Sequence, residues 1–196
     1  MDRLQNLTPE KVKKFYEEMC YLHDAKIVQK DDSTFMKGLS ILVSKVSRIE
    51  PEIFLKNYST TIMDTIYIPY EVGNAEDMSL PQQIQTLVHE LTHREDFDED
   101  ILMPLLYLAD KNYRVRAEIK AWSANIEFKV KRFGIDYVPD FEKYGNKILN
   151  YDANENDAKV IASTLKSDHA IYIQEGKVSR VVENTIWQLK ELGCWK

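Results

Sequence analysis

The stretch Ser79–His93, SLPQQIQTLVHELTH, decides how the rest of the chain is read. Leu80, Ile84, Leu87, Val88 and Leu91 recur at three- and four-residue intervals, the period of a helix with one buried stripe. Ser79 with Gln82 three residues on has the spacing of an N-cap and its reciprocal partner, so the helix is expected to start there. His89 and His93 stand one turn apart on a different face, where two imidazoles project the same way from a rigid backbone and can grip one metal ion. Glu90 is rotated by about 100° from His89 on a helical wheel, so its carboxylate reaches a water beside the ion instead of the ion itself. This is the H-E-x-x-H arrangement: two neutral ligands, an open coordination position and a base. The competing reading is a pair of surface histidines on an acidic helix. The chain has only four histidines, and two of them bracket a glutamate at this spacing, which favours a zinc site.

The segments around this helix supply its scaffold. Thr60 to Tyr70 is rich in β-branched and aromatic residues and reads as one strand, with Ile62, Ile66, Ile68 and Tyr70 on one face. Pro69 cannot donate to a ladder, which suits an edge strand or a strand end. A loop through Gly73 and Asn74 leads on to Ser79. Thr8-Pro9 is a cap followed by a first helical residue, and Val12, Phe15, Met19 and Leu22 continue at helical spacing. A second helix is expected from Thr34 to Ile49, with Phe35, Leu39, Leu42, Val43 and Val46 as its apolar face and Pro51 as its stop. Further on, Val115, Ile119, Trp122, Ile126 and Val130 mark a long helix over Lys111–Phe133, ended by Gly134. Helices are also expected over Pro139–Leu149, Glu155–Leu165 and Val178–Leu192, the last stopped by Gly193. Trp187 and Trp195 read as core or end-docking residues.

A catalytic zinc usually takes a third protein ligand. Asp96 shares the face of His89 and His93, but on a continuous helix it lies on the order of 10 Å beyond His89, so a place beside the ligands suits it better. Glu99 would need a break after His93, and no glycine provides one. His169 could arrive only through tertiary folding. Glu118 is the strongest candidate, because it borders the apolar stripe of the long helix and Ala121 is small enough to let another helix approach. Its alternative is a solvated glutamate or an ion pair with Arg114. The run Glu95, Asp96, Asp98, Glu99 and Asp100 reads as a solvated acidic turn after the motif helix, ahead of a divalent-cation or basic-substrate site.

Composition bounds the remaining choices. With 196 residues, 44% hydrophobic and 30% charged, the chain has an ordinary globular balance. A net charge of −6 argues against broad phosphate attraction and hence against nucleic acid as a partner. The N-terminus has no apolar signal core, and the longest apolar run, Ile101–Ala109, is too short for a bilayer and contains Pro104. No membrane association and a cytoplasmic location are therefore expected. Cys20 and Cys194 lie at opposite ends of the chain and read as two reduced thiols, with one disulfide as the lesser alternative.

His89-Glu90-Leu91-Thr92-His93 followed by Glu118-Ile119-Lys120-Ala121 resembles the gluzincin branch of the zincin metallopeptidases, in which the third ligand often stands in E-x-x-A on the next long helix. The segment from Thr61 through Tyr70 to His93 is also similar to compact metallopeptidases of phage and bacterial genomes, and the resemblance as a whole covers roughly residues 60 to 130. The resemblance implies Zn²⁺ held by His89, His93 and Glu118, and peptide-bond hydrolysis with Glu90 as general base. A peptide or protein substrate would align along the strand near Thr65 to Tyr70. Tyr113, Tyr137, Tyr172, His169 and Arg114 stay open as donors to the developing oxyanion.

Two alternatives stand beside that function. One is a regulatory protein of this fold that cleaves or binds a single partner, and the other is a zinc-binding interaction protein without turnover. The expected fold is α+β, helix-dominated, with a small sheet packed on the motif helix. One domain spans residues 1–196: an N-terminal helical part over 1–58, a catalytic core over 59–134 and a C-terminal helical part over 135–196.

Overall fold

A computed structural model of the protein describes residues 2–46, 49–99, 103–151, 153–176 and 179–196. The first helix, α1 (Pro9–Leu22), starts where Thr8 accepts a hydrogen bond from the Lys11 amide and Pro9 takes the first helical position. It buries Val12, Phe15 and Met19, while Leu22 is exposed. Strand β1 (Lys26–Gln29) follows, then α2 (Thr34–Val46) and α3 (Pro51–Asn57). Pro51 thus opens a helix of its own at the first position, besides limiting the one before. The face of α2 also differs from the expected one: Met36, Ser40 and Val43 are buried, whereas Phe35 and Leu42 are exposed, and the Val46 side chain lies outside the described residues.

The expected single strand over Thr60–Tyr70 is a hairpin. Strand β2 (Thr60–Ile62) turns at Met63-Asp64 into β3 (Thr65–Ile68), with Met63 at φ 57°. Asp64 holds the turn by accepting from the Thr65 hydroxyl and the Lys26 ammonium. Strand order is β1-β3-β2, with β3 parallel to β1 and antiparallel to β2. Hence β3 is central, not an edge, and Pro69 marks its end. Ile62 pairs with Thr65 and Ile66 with Thr61, so Ile62 and Ile66 face opposite sides of the sheet. Ile66 and Ile68 pack beneath α4 (Leu80–Glu99), while Ile62 and Tyr67 pack with the cluster around Met36, Val43 and Phe54.

Lys30 joins these parts from behind. Its fully buried ammonium donates to the carbonyls of Phe54 and Tyr58 at 3.1 and 2.6 Å and to the Thr60 hydroxyl at 2.8 Å. It also lies 3.6 Å from the centre of the Phe54 ring. The end of α3 is thereby fastened to the start of β2, and burial pushes the Lys30 pKa down to about 7.

The second half is helical: α5 (Met103–Ala109), α6 (Lys111–Phe133), α7 (Phe141–Lys147) with a 3₁₀ turn over Ile148–Tyr151, α8 (Glu155–Glu175) and α9 (Arg180–Glu191). Asp110 caps α6 by accepting from the Asn112 and Tyr113 amides, and Gly134 ends it as expected. Helix α8 runs ten residues beyond the expected Leu165, and Val178 lies outside the described residues. Trp122, Ile126, Tyr144, Ile148, Ile161 and Leu165 form the core between α6, α7 and α8. Trp195 packs on Phe128, whereas Trp187 is exposed, against the expectation for it. Cys20 and Cys194 are both buried, unbonded thiols. The fold is therefore α+β and helix-dominated, with a small sheet on the motif helix. Among the described residues no helix is long and apolar enough to cross a membrane.

Candidate metal centre

Helix α4 is fixed at its base by a fully buried glutamine that the sequence reading did not single out. The Gln83 side-chain amide donates to the carbonyls of Asn74 and Met78, and its oxygen accepts the Gly73 amide at 2.8 Å. Gly73 sits at φ 83°, and a Cβ there would come 2.8 Å from the Pro9 carbonyl oxygen, so only glycine lets this loop close on α1. Ser79 does meet Gln82, but through a hydroxyl donating to the side-chain oxygen at 2.6 Å, not as a reciprocal box with the backbone. The apolar stripe Ile84, Leu87, Val88 and Leu91 is buried, with Leu80 partly so, and the opposite side of the motif turns toward α6.

There the structure brings together His89, His93 and Glu118, whose ligand atoms all lie within 4.8 Å of one another. The two Nε2 atoms are 3.2 Å apart, Glu118 Oε2 is 3.5 Å from His89 Nε2, and Glu118 Oε1 is 3.5 Å from His93 Nε2. Three donors on a tetrahedron with bonds of 2.0–2.1 Å would be separated by about 3.3 Å. The two imidazoles stand at that spacing and Glu118 meets each with a different oxygen, so the three residues could hold one small cation. Two imidazole nitrogens facing each other at 3.2 Å also need a proton or a cation between them, since two lone pairs repel.

The electrostatics fit the same use. Burial pushes the His89 pKa down to about 3, which keeps this ring neutral with a lone pair available. For His93 burial acts downward too, but the hydrogen bond with Glu118 and the nearby charges of Glu118 and Glu90 outweigh it and raise its pKa. Glu118 is held down to about 2: burial acts upward, and the hydrogen bond with His93, the charge of His93 and the Tyr107 hydrogen bond more than offset it. The Tyr107 hydroxyl adds a donor to Glu118 Oε1 at 2.5 Å. A cation entering this triad would displace a proton from His93. The Nδ1 of His93 is buried without a hydrogen-bond partner among the described residues, so packing against the Tyr107 ring, 6.1 Å away, sets its orientation.

Glu90 is buried beside the triad and is not one of its donors. The Thr61 hydroxyl on β2 donates to its Oε2 at 2.7 Å. Burial raises the Glu90 pKa, opposed by the charge of His93 and the Thr61 hydrogen bond. That is the tuning a proton acceptor at neutral pH needs.

The other sequence candidates lie elsewhere. Helix α4 is unbroken through Glu99, so Asp96 stays a turn beyond the donors and pairs with Lys120. The side chains of Asp98 and Glu99, and Asp100 entirely, lie outside the described residues. The expected acidic turn is therefore helix through Glu99, and Glu95 is bound to Arg180 at 2.6 Å. His169 is 3.0 Å from the Tyr137 carbonyl through Nε2 and packs on Phe141, away from the triad. Arg114 is turned to the end of α5, donating to the Tyr107 and Leu108 carbonyls. No signal near Tyr107 or Thr61 in the sequence marked either one. Their roles come from tertiary packing alone.

The triad and Glu90 line a cleft of about 820 Å³. The strand along it is β2, through Thr60, Thr61 and Ile62, instead of the expected Thr65–Tyr70 segment, in which Thr65–Tyr67 is already paired on both sides. The sequence matches no family model, and neither a curated protein nor a solved structure matches it.

Proposed function

We propose that the protein is a zinc-dependent hydrolase of peptide bonds, acting on a peptide or protein in the cytoplasm. The single observation that carries this reading is the group His89, His93 and Glu118, whose ligand atoms lie within 4.8 Å of one another, with a buried carboxylate, Glu90, next to them and outside the set. Two imidazoles and one carboxylate with an open position are a common catalytic zinc set. A bound zinc supplies Lewis acidity, lowering the pKa of a water and polarising the carbonyl to be attacked.

The chain's own residues carry the rest. Glu90 takes a proton from the attacking water and returns it to the amine that leaves, so no net proton is gained or lost by the carboxylate. Thr61 holds one oxygen of that carboxylate and leaves the other free for the exchange. Tyr107 steadies Glu118. Strand β2 offers its free edge to the substrate main chain. A zinc protein without turnover would have no use for a buried, hydrogen-bonded Glu90, which favours the hydrolase over a purely binding role.

Elemental analysis of the purified protein tests the reading first. One zinc per chain is expected, lost or much weakened in His93→Ala and Glu118→Ala. Peptide cleavage is expected in wild type and not in Glu90→Gln, which keeps its zinc. Wild-type protein that takes up no metal when zinc is supplied would overturn the proposal.

A further inference from the structure

We propose that the α6–α7 wall of the cleft is a carboxylate-binding subsite, so that the substrates are peptides with an acidic group a few residues from the bond that is cut. This deepens the hydrolase reading and rests on it for the identity of the substrate.

The cleft is not uniform. On the side of α2 and α3 it is lined by the apolar Leu39, Val43, Phe54 and Ile62, and beside Leu108 of α5 by Arg114, which is turned to the Tyr107 and Leu108 carbonyls. On the side of α6 and α7 it is lined by Lys129, Lys143 and Lys147. This gathering runs against the composition of a chain with 26 basic and 32 acidic residues. None of the three lysines has an ion-pair partner among the described residues. Asp140 lines the same wall, but its carboxylate is engaged by the Lys143 amide as the cap of α7.

The lysines are organised around one ring. Lys129 donates to the Tyr144 hydroxyl at 2.9 Å, and the Lys129 and Lys147 ammoniums lie 5.4 and 5.3 Å from the centre of the Tyr144 ring. Lys147 is lowered in pKa by burial first and by the like charges of Lys129 and Lys143, opposed by the charge of Glu118. Three lysines share this wall with the single carboxylate of Asp140, and the excess of cations favours an incoming anion. A carboxylate would relieve that repulsion and accept charge-assisted hydrogen bonds.

The spacing sets where the anion belongs on a substrate. Glu118, Trp122, Asn125 and Lys129 share one face of α6 and all line the cleft. Eleven residues of helix put Lys129 roughly 16 Å along the axis from Glu118. An extended peptide covers that in about five residues at ~3.3 Å each. The acidic group is thus placed up to about five residues from the scissile bond.

The test is binding to the zinc-supplied Glu90→Gln protein, followed by fluorescence anisotropy with labelled peptides. One series places a single Asp at successive positions, its control carries Asn, and each is made with a free and an amidated C-terminus. Acidic peptides are expected to bind about ten- to a hundredfold more tightly than their controls, the range of a charge-assisted hydrogen bond or two. That advantage should shrink with salt and disappear in Lys143→Gln/Lys147→Gln, both exposed positions. Reversal to Lys143→Glu/Lys147→Glu should turn the preference toward basic peptides. An advantage seen only with free C-termini also supports the subsite and assigns the carboxylate to the chain end. Equal binding of acidic and neutral peptides, or a preference untouched by the double substitution, overturns it. Zinc content and wild-type cleavage on the same preparations keep the two proposals apart. Acid preference without zinc or turnover sinks the hydrolase alone, and zinc with turnover but no preference sinks the subsite alone.

Discussion

The Thr61 hydroxyl lies 2.7 Å from Glu90 Oε2 and 3.1 Å from the Glu90 carbonyl oxygen, so the middle residue of β2 is tied to the turn of α4 that carries the metal donors. One hydroxyl proton thereby fixes the carboxylate that the proposed function makes the proton acceptor. Thr61→Val keeps the shape and removes the donor. Zinc content should be unchanged, while kcat/KM falls roughly tenfold to a hundredfold, the value of a hydrogen bond to a charged group. Thr61→Ser should restore most of the rate. Zinc analysis beside steady-state cleavage checks this, and an unaffected rate in Thr61→Val would remove Thr61 from the mechanism.

Tyr107 reaches Glu118 from α5, and its loss should be felt by the ion rather than by the fold. Tyr107→Phe should weaken zinc affinity about tenfold to a hundredfold, as is usual when a ligand loses its outer hydrogen bond. Competition with a chelator of known affinity measures it. In wild type, zinc at about a thousand times its dissociation constant should add about 4 kcal/mol of stability. For a chain of this length that raises Tm by roughly 10 °C, and His93→Ala should show no such rise.

Glu127 gives the protein a pH dependence away from the metal. It is fully buried on α6, accepts the Ser179 amide with both oxygens at 3.1 Å, and burial raises its pKa to about 7. The folded state therefore holds this proton more tightly than the unfolded chain. Its contribution is fully present below about pH 4.5 and is lost as pH rises through about 7, at most roughly 3 kcal/mol. Glu127→Gln does not titrate, so relative to wild type it should gain stability between pH 5 and pH 8. Urea unfolding at the two pH values decides it, and a constant difference would refute the assignment.

Gly145 sits where α7 crosses α8. A Cβ there would come 2.3 Å from the Ala158 carbonyl oxygen, a rigid main-chain atom, so the helices would have to part. Gly145→Ala should cost about 1–3 kcal/mol despite the better helix propensity of alanine. Because α7 also carries Lys143, Tyr144 and Lys147, affinity for acidic peptides should fall along with stability. Thermal unfolding and peptide binding on the same sample test both effects.

How much of this was legible in the sequence follows from how local each feature is. His89, Glu90 and His93 belong to one turn and a half of helix, so spacing alone set their geometry. Thr8 and Gly134 mark helix ends by the chemistry of single residues. Glu118 depends on which helix packs on α4, and the small Ala121 beside it, which is fully buried, is the one local sign of a close approach. The hairpin at Met63-Asp64 was masked by β-branched residues on both sides, which suit one strand as well as two. Strand β1 is four residues long and its partner β3 lies far along the chain, so no periodicity could announce it. Thr61, Tyr107 and Lys30 act through side-chain contacts between elements, and nothing near them in the chain encodes those contacts.

The shortness of β2 has a consequence for discrimination. Only Thr60, Thr61 and Ile62 form the strand beside the donors, and main-chain groups on one edge of a strand alternate in direction. Under the proposed function, a substrate paired there gains a couple of backbone hydrogen bonds, which every polypeptide can offer equally. Recognition by backbone is thus both weak and indifferent to sequence. Any choice among polypeptides must be written in side chains further along the cleft, and a short peptide that reaches neither the apolar end nor the lysines should be turned over poorly however well it meets the metal.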